Sequence, residues 1–441
     1  MLEEIKTKVV DFIKEIETEF KQWQRNGMEG GLDRWEKRVK TGVISIGQGI
    51  LQTIIEETEN EKEAKRYGSE TDMIKCSHCG RKRHYKYKSS KEVWTLCGKI
   101  MIKRKYYYCS QCGNGEYPLD KQLGLNGSAL SGTVRRLISL IGAEVPFERT
   151  QELIYEVGGI YLSKTTAWRV THQVGHKLRE VQKQVQSEYL VVGPTEDNKH
   201  LDKVDKIIAE TDATSVLTKE GYRQPKLSVV VQKDKDGHRL QSRYQGGFMS
   251  VVELALGWKA DAKGLGWELV KKKEVLADGA DWIWNMALEH LPDGEAIIDY
   301  YHPCERIHQI GRLVFGEGNA AGKRWANKLA EELKSGHIGK IIKRLEELKR
   351  CTKQSKEAVK ESITYFNNNG HRMNYPAYQE KGYDIGSGIV EGGCKFIIAS
   401  RLKRSGMRWN TENVNNMIAL RTALLNKKEW RLFWNAYHVA C

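Results

Sequence analysis

The chain has 441 residues, so we expect more than one domain, because a single hydrophobic core rarely grows beyond about 250 to 300 residues. Its 72 lysine and arginine residues outnumber its 57 acidic ones, and the resulting net charge of +15 favours phosphate-rich partners. Charges within residues 1–17 exclude a secretory signal and short apolar runs exclude a membrane span, so we expect a cytoplasmic protein whose cysteines are thiols or metal ligands.

The first 70 residues form a predicted helical region. Apolar side chains recur every three or four positions over residues 2–24, which is the stripe of an amphipathic helix. Residues 33–65 indicate a second and more charged helix. We therefore expect region 1–70 to be helical, ahead of a module with a different texture.

Two matched cysteine pairs lie in residues 71–120, which we predict to be a zinc ribbon. Cys76 and Cys79 form one Cys-x-x-Cys-Gly knuckle, and Cys109 and Cys112 form the other. A tetrahedral zinc ion requires four thiolates brought from two such turns, and the alternating residues between the pairs favour a β-hairpin. The glycine after each pair permits the positive φ of a tight turn. We predict structural zinc, with incidental cysteine pairs or a redox site as the alternative interpretation.

Residues 121–192 return to helical periodicity and predict a helix-turn-helix. A helix over residues 147–157, a tight glycine turn and a second helix over 163–181 with Ser163 as its N-cap give that layout. Three side chains of the second helix are candidates for contact with DNA bases: Trp168, Arg169 and His172.

A glycine-proline step and a polar run at residues 193–200 predict a linker into a domain that spans residues 200–425. Its predicted strands cover residues 206–217, 226–232, 239–250, 274–277 and 296–298. The first three strands are expected to be antiparallel, and the helices between the later ones indicate α/β alternation. Helices are predicted for residues 282–291, for 302–366 and from a Gly-Ser-Gly step at 386–388 to about 404, and a C-terminal tail for 426–441.

Three acids stand where carboxylates can bind metal ions. Asp212 follows an apolar run in the first predicted strand, Asp278 ends the fourth, and Glu391 lies just after the Gly-Ser-Gly step on a basic helix. Two Mg²⁺ ions about 3.5 to 4 Å apart need carboxylates from separate elements, so that one ion activates the attacking oxygen and the other stabilises the leaving oxygen. We predict that these three residues bind Mg²⁺ or Mn²⁺.

Five segments in chain order resemble the DDE transposases of bacterial insertion sequences, in the group related to Mutator-type elements. They are LADGADWIW, IIDYYH, YFNNNGHRMNYPAY, IGSGIVEGGCK and SGMRW, and the likeness covers residues 70–425. It implies an RNase H-like α/β core with an all-helical insertion at about 303–370, so the expected fold class is multidomain α+β. It also implies Asp212, Asp278 and Glu391 as the first, second and third catalytic acids.

The element Asp299-Tyr-Tyr-His302 resembles the acid-or-cysteine, two residues, histidine pattern that such enzymes carry after their fifth strand. Because Asp299 also ends an apolar strand, it is the alternative second metal ligand. We favour Asp278, with Asp299 and His302 as a supporting pair. The chain departs from the family at Ala213, where members often have glycine, but alanine is small enough to leave this expectation in place.

A cluster of cations lies on and after the Glu391 helix and predicts contacts with DNA. The alternative is a solvated charged face. The cluster consists of Lys395, Arg401, Lys403, Arg404 and Arg408. The resemblance implies metal-dependent cleavage and strand transfer at insertion-sequence ends. The expected partner is double-stranded DNA, both the terminal repeats of the element and the target. Further copies of the chain are expected to join it in a homodimer or larger assembly. We expect the protein to associate with the nucleoid when it acts and not with a membrane. Two alternatives stay open, a DNA-binding regulator derived from a transposase and a two-metal nuclease that does not join strands.

Overall fold

The structure, a computed structural model, describes residues 2–27, 29–66, 73–125, 127–194, 200–348 and 352–439. The chain divides into two compact units. Unit 1 consists of Met1–Thr171 and Leu432–Cys441, and unit 2 of His172–Arg431. The division falls inside a long helix and not at the predicted linker, of which residues 195–199 lie outside the described residues.

Unit 1 begins with two helices, α1 (Leu2–Arg25) and α2 (Gly31–Arg66), so both helix predictions are confirmed. An antiparallel sheet follows in the order β1-β2-β3-β4. Its strands are β1 (Met73–Lys75), β2 (Lys82–Thr95), β3 (Gly98–Tyr108) and β4 (Gly115–Glu116). Val93 and Ile102 of the central hairpin form a small core, against which Leu51 of α2 packs.

The next helices are α3 (Pro118–Gln122), α4 (Gly132–Glu144), α5 (Phe147–Gly158) and α6 (Lys164–Val192). The predicted helix-turn-helix corresponds to α5 and α6. Gly159 takes a φ of 62° at the turn, and Ser163 Oγ accepts a hydrogen bond from Thr166 N at 3.1 Å, so the predicted N-cap is confirmed. Ile154 of α5 and Val170 of α6 share a core with α4. Helix α6 extends well beyond its predicted end at residue 181.

The described residues of unit 2 form the strands β5 (Lys206–Ala213), β6 (Val216–Thr218), β7 (Gly221–Arg223), β8 (Lys226–Lys233), β9 (Arg239–Gly247), β10 (Lys272–Ala277) and β11 (Glu295–Ile298). Five of them form a mixed sheet in the order β11-β10-β5-β8-β9, and β6 pairs with β7 in a separate ribbon. Strands β5, β8 and β9 are successively antiparallel, whereas β10 is parallel to β5 and β11 is parallel to β10. The carboxyl ends of β5, β10 and β11 therefore meet at one edge of the sheet.

The helices of unit 2 are α7 (Val251–Gly264), α8 (Asp281–His290), α9 (Tyr301–Phe315), α10 (Ala320–Lys334), α11 (Ile338–Glu346), α12 (Lys353–Asn369), α13 (Tyr375–Glu380), α14 (Gly388–Gly393), α15 (Ser400–Leu402) and α16 (Thr411–Leu425), and α17 (Lys428–Val439) runs on into unit 1. One turn of π-helix, Cys394–Ala399, joins α14 to α15. Ile207, Val275, Trp258 and Ile307 belong to the core that joins the sheet to α7 and α9. None of the helices within the described ranges has both the length and the apolar character needed to cross a bilayer.

Three predicted segments differ from the structure. The strand predicted over residues 206–217 ends at Ala213, because the chain then leaves the sheet to form the β6–β7 ribbon. The strand predicted over 239–250 ends at Gly247, and Ser250 instead caps α7 in a capping box with Glu253. Most of the segment expected to be a C-terminal tail is helix α17, in which Trp430, Phe433 and Trp434 are buried.

Candidate metal centres

The four predicted cysteines of unit 1 converge. Ligand atoms of Cys76, Cys79, Cys109 and Cys112 all lie within 4.8 Å of one another. Sγ of Cys76 is 3.7 Å from Sγ of Cys112, and Sγ of Cys79 is 3.6 Å from Sγ of Cys109. Four sulfurs bound tetrahedrally at about 2.3 Å from one ion would be about 3.8 Å apart, so the cluster fits such an ion.

Each cysteine pair lies in a tight turn that its glycine completes. Gly80 N donates to Cys76 O at 3.0 Å, and Gly113 N donates to Cys109 O at 2.9 Å. The two glycines take φ values of 74° and 67°, a region that other residues adopt only with strain, so the predicted role of both glycines is confirmed. The turns thus aim two thiols each toward a common centre.

The second centre lies at the edge of the unit 2 sheet where β5, β10 and β11 end. The parallel registers of these strands continue to Asp212, Asp278 and Asp299, which therefore stand in line across three neighbouring strands. Adjacent strands lie about 4.8 Å apart, and residues in register on parallel strands share a face of the sheet. Sequence positions 212, 278 and 299 are brought together in this way by topology alone.

Glu391 reaches the same edge from α14. Its carboxylate, that of Asp299 and the imidazole of His302 have ligand atoms within 4.8 Å of one another, so this group could hold a metal ion. His302 lies in the first turn of α9, directly after β11. Lys395 Nζ is 3.7 Å from Glu391 Oε2, one helical turn further on.

The pKa of Asp212 is shifted by its surroundings at this edge. Burial raises the pKa of Asp212, the N–H of Ala213 and the thiol of Cys394 lower it, Asp278 raises it, and His302 lowers it. Neighbouring carboxylates that disfavour each other's charge make a bound cation favourable. Sequence reasoning missed the contact with Cys394, because a lone cysteine carries no motif.

Asp278 and Asp299 differ in what their oxygens do. Asp299 is 0% exposed; its Oδ1 accepts from Tyr301 N at 2.8 Å, and its Oδ2 accepts from both Ser387 N, at 3.0 Å, and Ser387 Oγ. Asp278 is half-buried, and its Oδ1 accepts from Ala280 N at 2.8 Å. Both oxygens of Asp299 accept from protein donors, yet Asp299, and not Asp278, belongs with His302 and Glu391 to the group whose ligand atoms lie within 4.8 Å of one another. Asp278 as the second metal ligand therefore stays a prediction.

Glu210 is a buried acid that sequence reasoning missed. It lies two residues before Asp212 on the same face of β5 and is 1% exposed. Its Oε2 accepts a hydrogen bond from Val390 N at 2.6 Å. The pKa of Glu210 is raised to about 8, chiefly by burial. The N–H of Val390 lowers this pKa, and the carboxylate of Asp299 raises it further. An acid directly after the apolar run Ile207–Ala209 was the available signal.

A pocket of about 770 Å³ opens beside Asp278 and is also lined by His302, Arg306 and Tyr365. The guanidinium carbon of Arg306 lies 4.4 Å from the centroid of the Tyr365 ring. Gly279 makes room for that ring, since a Cβ at this position would come within 2.1 Å of Tyr365 Cε2. Asp278 therefore faces a space, lined largely by polar and charged side chains, that a polar molecule can enter.

Four of the five cations predicted to contact DNA are exposed, namely Lys395, Lys403, Arg404 and Arg408. Arg401 is the exception, because it is 0% exposed and its guanidinium carbon lies 5.2 Å from the centroid of the Trp409 ring. The prediction of Arg401 as a DNA contact is wrong, since packing on Trp409 takes the guanidinium into the core. Lys403 reaches back to the residue that follows β5, where its Nζ donates to Thr214 Oγ1.

The three candidate base-contacting residues of α6 also separate. Trp168 and Arg169 are exposed, whereas His172 is 5% exposed, with its ring centroid 6.3 Å from that of Trp409. Burial, with the charge of Arg401, lowers the pKa of His172 to about 4. His172 is a neutral core residue, so its prediction as a base contact is wrong.

Comparison with known proteins leaves the geometry to carry the argument. No protein-family model matches the chain. No curated protein matches it either.

Proposed function

We propose that this chain is a DDE transposase, a metal-dependent enzyme that cuts DNA at the ends of an insertion sequence and joins them to a target. The observation that carries the proposal is the position of Asp212 near the end of β5 and of Asp278 directly after the adjacent parallel strand β10, with Glu391 reaching the same edge of the sheet from a helix far along the chain. Two-metal phosphoryl transfer needs carboxylates from separate elements at one place.

The sheet supports an RNase H-like core. Three antiparallel strands in succession, followed by two strands parallel to the first, give the order β11-β10-β5-β8-β9, which is the arrangement expected of that fold. Helices α9 to α12 stand between β11 and the Glu391 helix, where the likeness to transposases places an all-helical insertion.

The residues of the edge have distinct proposed roles. Asp212, Asp278 and Glu391 would hold Mg²⁺ or Mn²⁺, for which carboxylate oxygens are suitable ligands. When bound, such ions supply activation of the attacking oxygen and stabilisation of the leaving oxygen. Lys395 and Lys403 flank the acids and would bind the phosphates of the strand being cut. Water first cleaves a phosphodiester to leave a 3′-hydroxyl, which then attacks a phosphodiester of the target, so each step forms one P–O bond and breaks another.

Unit 1 would recognise the DNA. Its cysteine cluster fits zinc, and we assign it a structural Zn²⁺ because a closed set of four thiolates leaves no open position for chemistry. The exposed Trp168 and Arg169 of α6 are the side chains placed to read DNA from the helix-turn-helix. Joining two element ends requires that two or more copies of the chain assemble on DNA.

The test is an assay of cleavage and joining with a DNA fragment that carries the sequences flanking the coding region, in Mg²⁺. We expect wild type to nick and join, and Asp212→Ala, Asp278→Ala and Glu391→Ala to bind the DNA but do neither. Wild type that nicks without joining would indicate a two-metal nuclease. Wild type that only binds would indicate a DNA-binding regulator.

A further inference from the structure

The helix that carries Glu391 is weak by its own sequence. Three of the six residues of this helix, Gly388–Gly393, are glycine, and each glycine within a helix costs about 1 kcal/mol relative to alanine. Gly393 serves close packing, because a Cβ there would lie 2.9 Å from Leu227 Cδ2. The helix also lacks the usual side-chain cap, since Ser387, at the N-cap position, makes no cap hydrogen bond and its hydroxyl donates to Asp299.

Two buried carboxylates of the sheet take the place of that cap. The first four N–H groups of a helix have no acceptor within the helix. Glu210 Oε2 accepts the Val390 N–H at 2.6 Å, and Asp299 Oδ2 accepts the Ser387 N–H at 3.0 Å. The side chains of Glu210 and Asp299 are 1% and 0% exposed, so water does not compete for these bonds.

The hydrogen bond between Glu210 and Val390 links the two elements that carry Asp212 and Glu391. Glu210 precedes Asp212 by two residues on β5, and Val390 immediately precedes Glu391 on α14. One hydrogen bond therefore fixes the strand of the first acid against the helix of the third. Asp299 fixes the start of the same helix to the end of β11.

We propose that Glu210 is a positioning residue of the carboxylate site, which with Asp299 anchors the glycine-rich Glu391 helix to the sheet and so sets the distance between Asp212 and Glu391. The inference rests on the proposed function in so far as these acids bind metal. Partners that orient metal ligands contribute about 10- to 100-fold to metal affinity. Glu210 itself touches neither the metal nor the DNA in this account.

Three substitutions separate the position of the Glu210 acceptor oxygen from the presence of its carboxyl group. Glu210→Gln keeps an acceptor oxygen at the same reach and should retain near wild-type binding of Mn²⁺, measured by electron paramagnetic resonance. Glu210→Asp keeps the carboxyl group but withdraws the acceptor by about 1.5 Å, one C–C bond, and should weaken Mn²⁺ binding. Glu210→Leu removes the acceptor at similar volume and should weaken it about 10- to 100-fold.

Hydrogen–deuterium exchange of residues 385–395 gives a readout that does not depend on metal. We expect faster exchange in Glu210→Leu and Glu210→Asp, and wild-type exchange in Glu210→Gln. The matched control is Glu274→Leu, which removes a buried carboxylate of neighbouring strand β10 that accepts from Asp384 N at 2.9 Å, outside α14. This variant should lose stability while its Mn²⁺ affinity stays at the wild-type value.

The outcomes distinguish the two claims. If wild type binds Mn²⁺ through Asp212 and Glu391, but Glu210→Asp and Glu210→Leu bind it equally tightly with unchanged exchange of α14, the positioning role is overturned and the proposed function stands. If wild type binds no Mn²⁺, or Asp212→Ala binds it unchanged, the proposed function fails and this inference fails with it.

Discussion

The two candidate metal centres of this chain are built in opposite ways. The cysteine cluster of unit 1 comes from two four-residue turns, 76–79 and 109–112, each closed by its own glycine. The candidate carboxylate site of unit 2 draws on residues as far apart as Asp212 and Glu391, which the order of strands in a mixed sheet and the packing of α14 bring to one edge. A site formed by local turns can be predicted from residue spacing, whereas a site formed by topology can be identified only once the strand order of the sheet is known.

The largest effect is expected at the carboxylate site. Replacing Glu391 with Gln removes the charge of one proposed ligand and should lower Mg²⁺-dependent DNA nicking by more than about 100-fold, beyond what the loss of a supporting partner causes. The measurement is the rate of nicking of a supercoiled plasmid. Glu380→Gln, at an exposed acid of α13, is the control and should nick at the wild-type rate. Equal rates in Glu391→Gln and wild type would remove Glu391 from the site.

Loss of one thiolate should empty the cysteine cluster without touching the other site. Cys109→Ser leaves three thiolates, so we expect bound zinc to fall from one ion per chain to none and the β1–β4 sheet to lose its order, because binding of a structural zinc is coupled to folding. Elemental analysis and circular dichroism measure this. Cys97→Ser, outside both knuckles, should keep its zinc. Loss of Mn²⁺ binding in unit 2 along with the zinc would show that the two centres are not independent.

Asp278 and Asp299 should fail for different reasons. Asp278→Asn should weaken Mn²⁺ binding at least about tenfold with little change in stability. Asp299→Asn should lower the free energy of unfolding by about 1 to 3 kcal/mol, because one of its two accepting oxygens becomes an amide nitrogen that cannot accept from Tyr301 N or Ser387. Calorimetry of metal binding and urea unfolding give the two values. The reverse pattern would make Asp299 the second ligand.

A smaller effect is expected from Glu274 within the sheet. Burial raises the pKa of Glu274 from 4.5 to about 7, although Lys206 Nζ lies 3.2 Å from its Oε1 and lowers that pKa; Asp384, which also pairs with Lys206 and Lys233, raises it. Between pH 4.5 and 7 the folded state holds a proton that the unfolded state has lost, so the stability that Glu274 contributes falls as the pH rises.

Glu274→Gln removes this titration. The free energy of unfolding of wild type should therefore fall relative to that of the variant, by at most about 1.4 kcal/mol per pH unit over this range. Urea unfolding of both proteins at several pH values measures the difference. Parallel curves would mean that Glu274 stays ionised in the folded state.

The contrast between the centres also explains what the sequence predicts. The knuckles, the helix-turn-helix with its Ser163 cap and the strand ends at Asp278 and Asp299 follow from local spacing and apolar runs, and the structure contains them. Helix α7 was missed although Ser250 and Glu253 form a capping box, because its apolar residues lie on more than one face and give no clear stripe.

One error and one omission concern buried charges. Arg401 stands in a basic run that is typical of a solvated or DNA-facing surface, yet the ring of Trp409, eight residues later in the chain, packs on it. Glu210 was not singled out from the sequence, because its burial and its bond to α14 involve a segment 180 residues away. Both depend on tertiary contacts, which residue spacing does not reveal.

The most direct test of the central claim is the location of Mn²⁺ by anomalous diffraction from crystals of the full chain. We predict Mn²⁺ ions held by Asp212, Asp278 and Glu391, about 3.5 to 4 Å apart when two are bound. Ions bound by Asp299, His302 and Glu391 without Asp212, or no ion at this edge of the sheet, would contradict it.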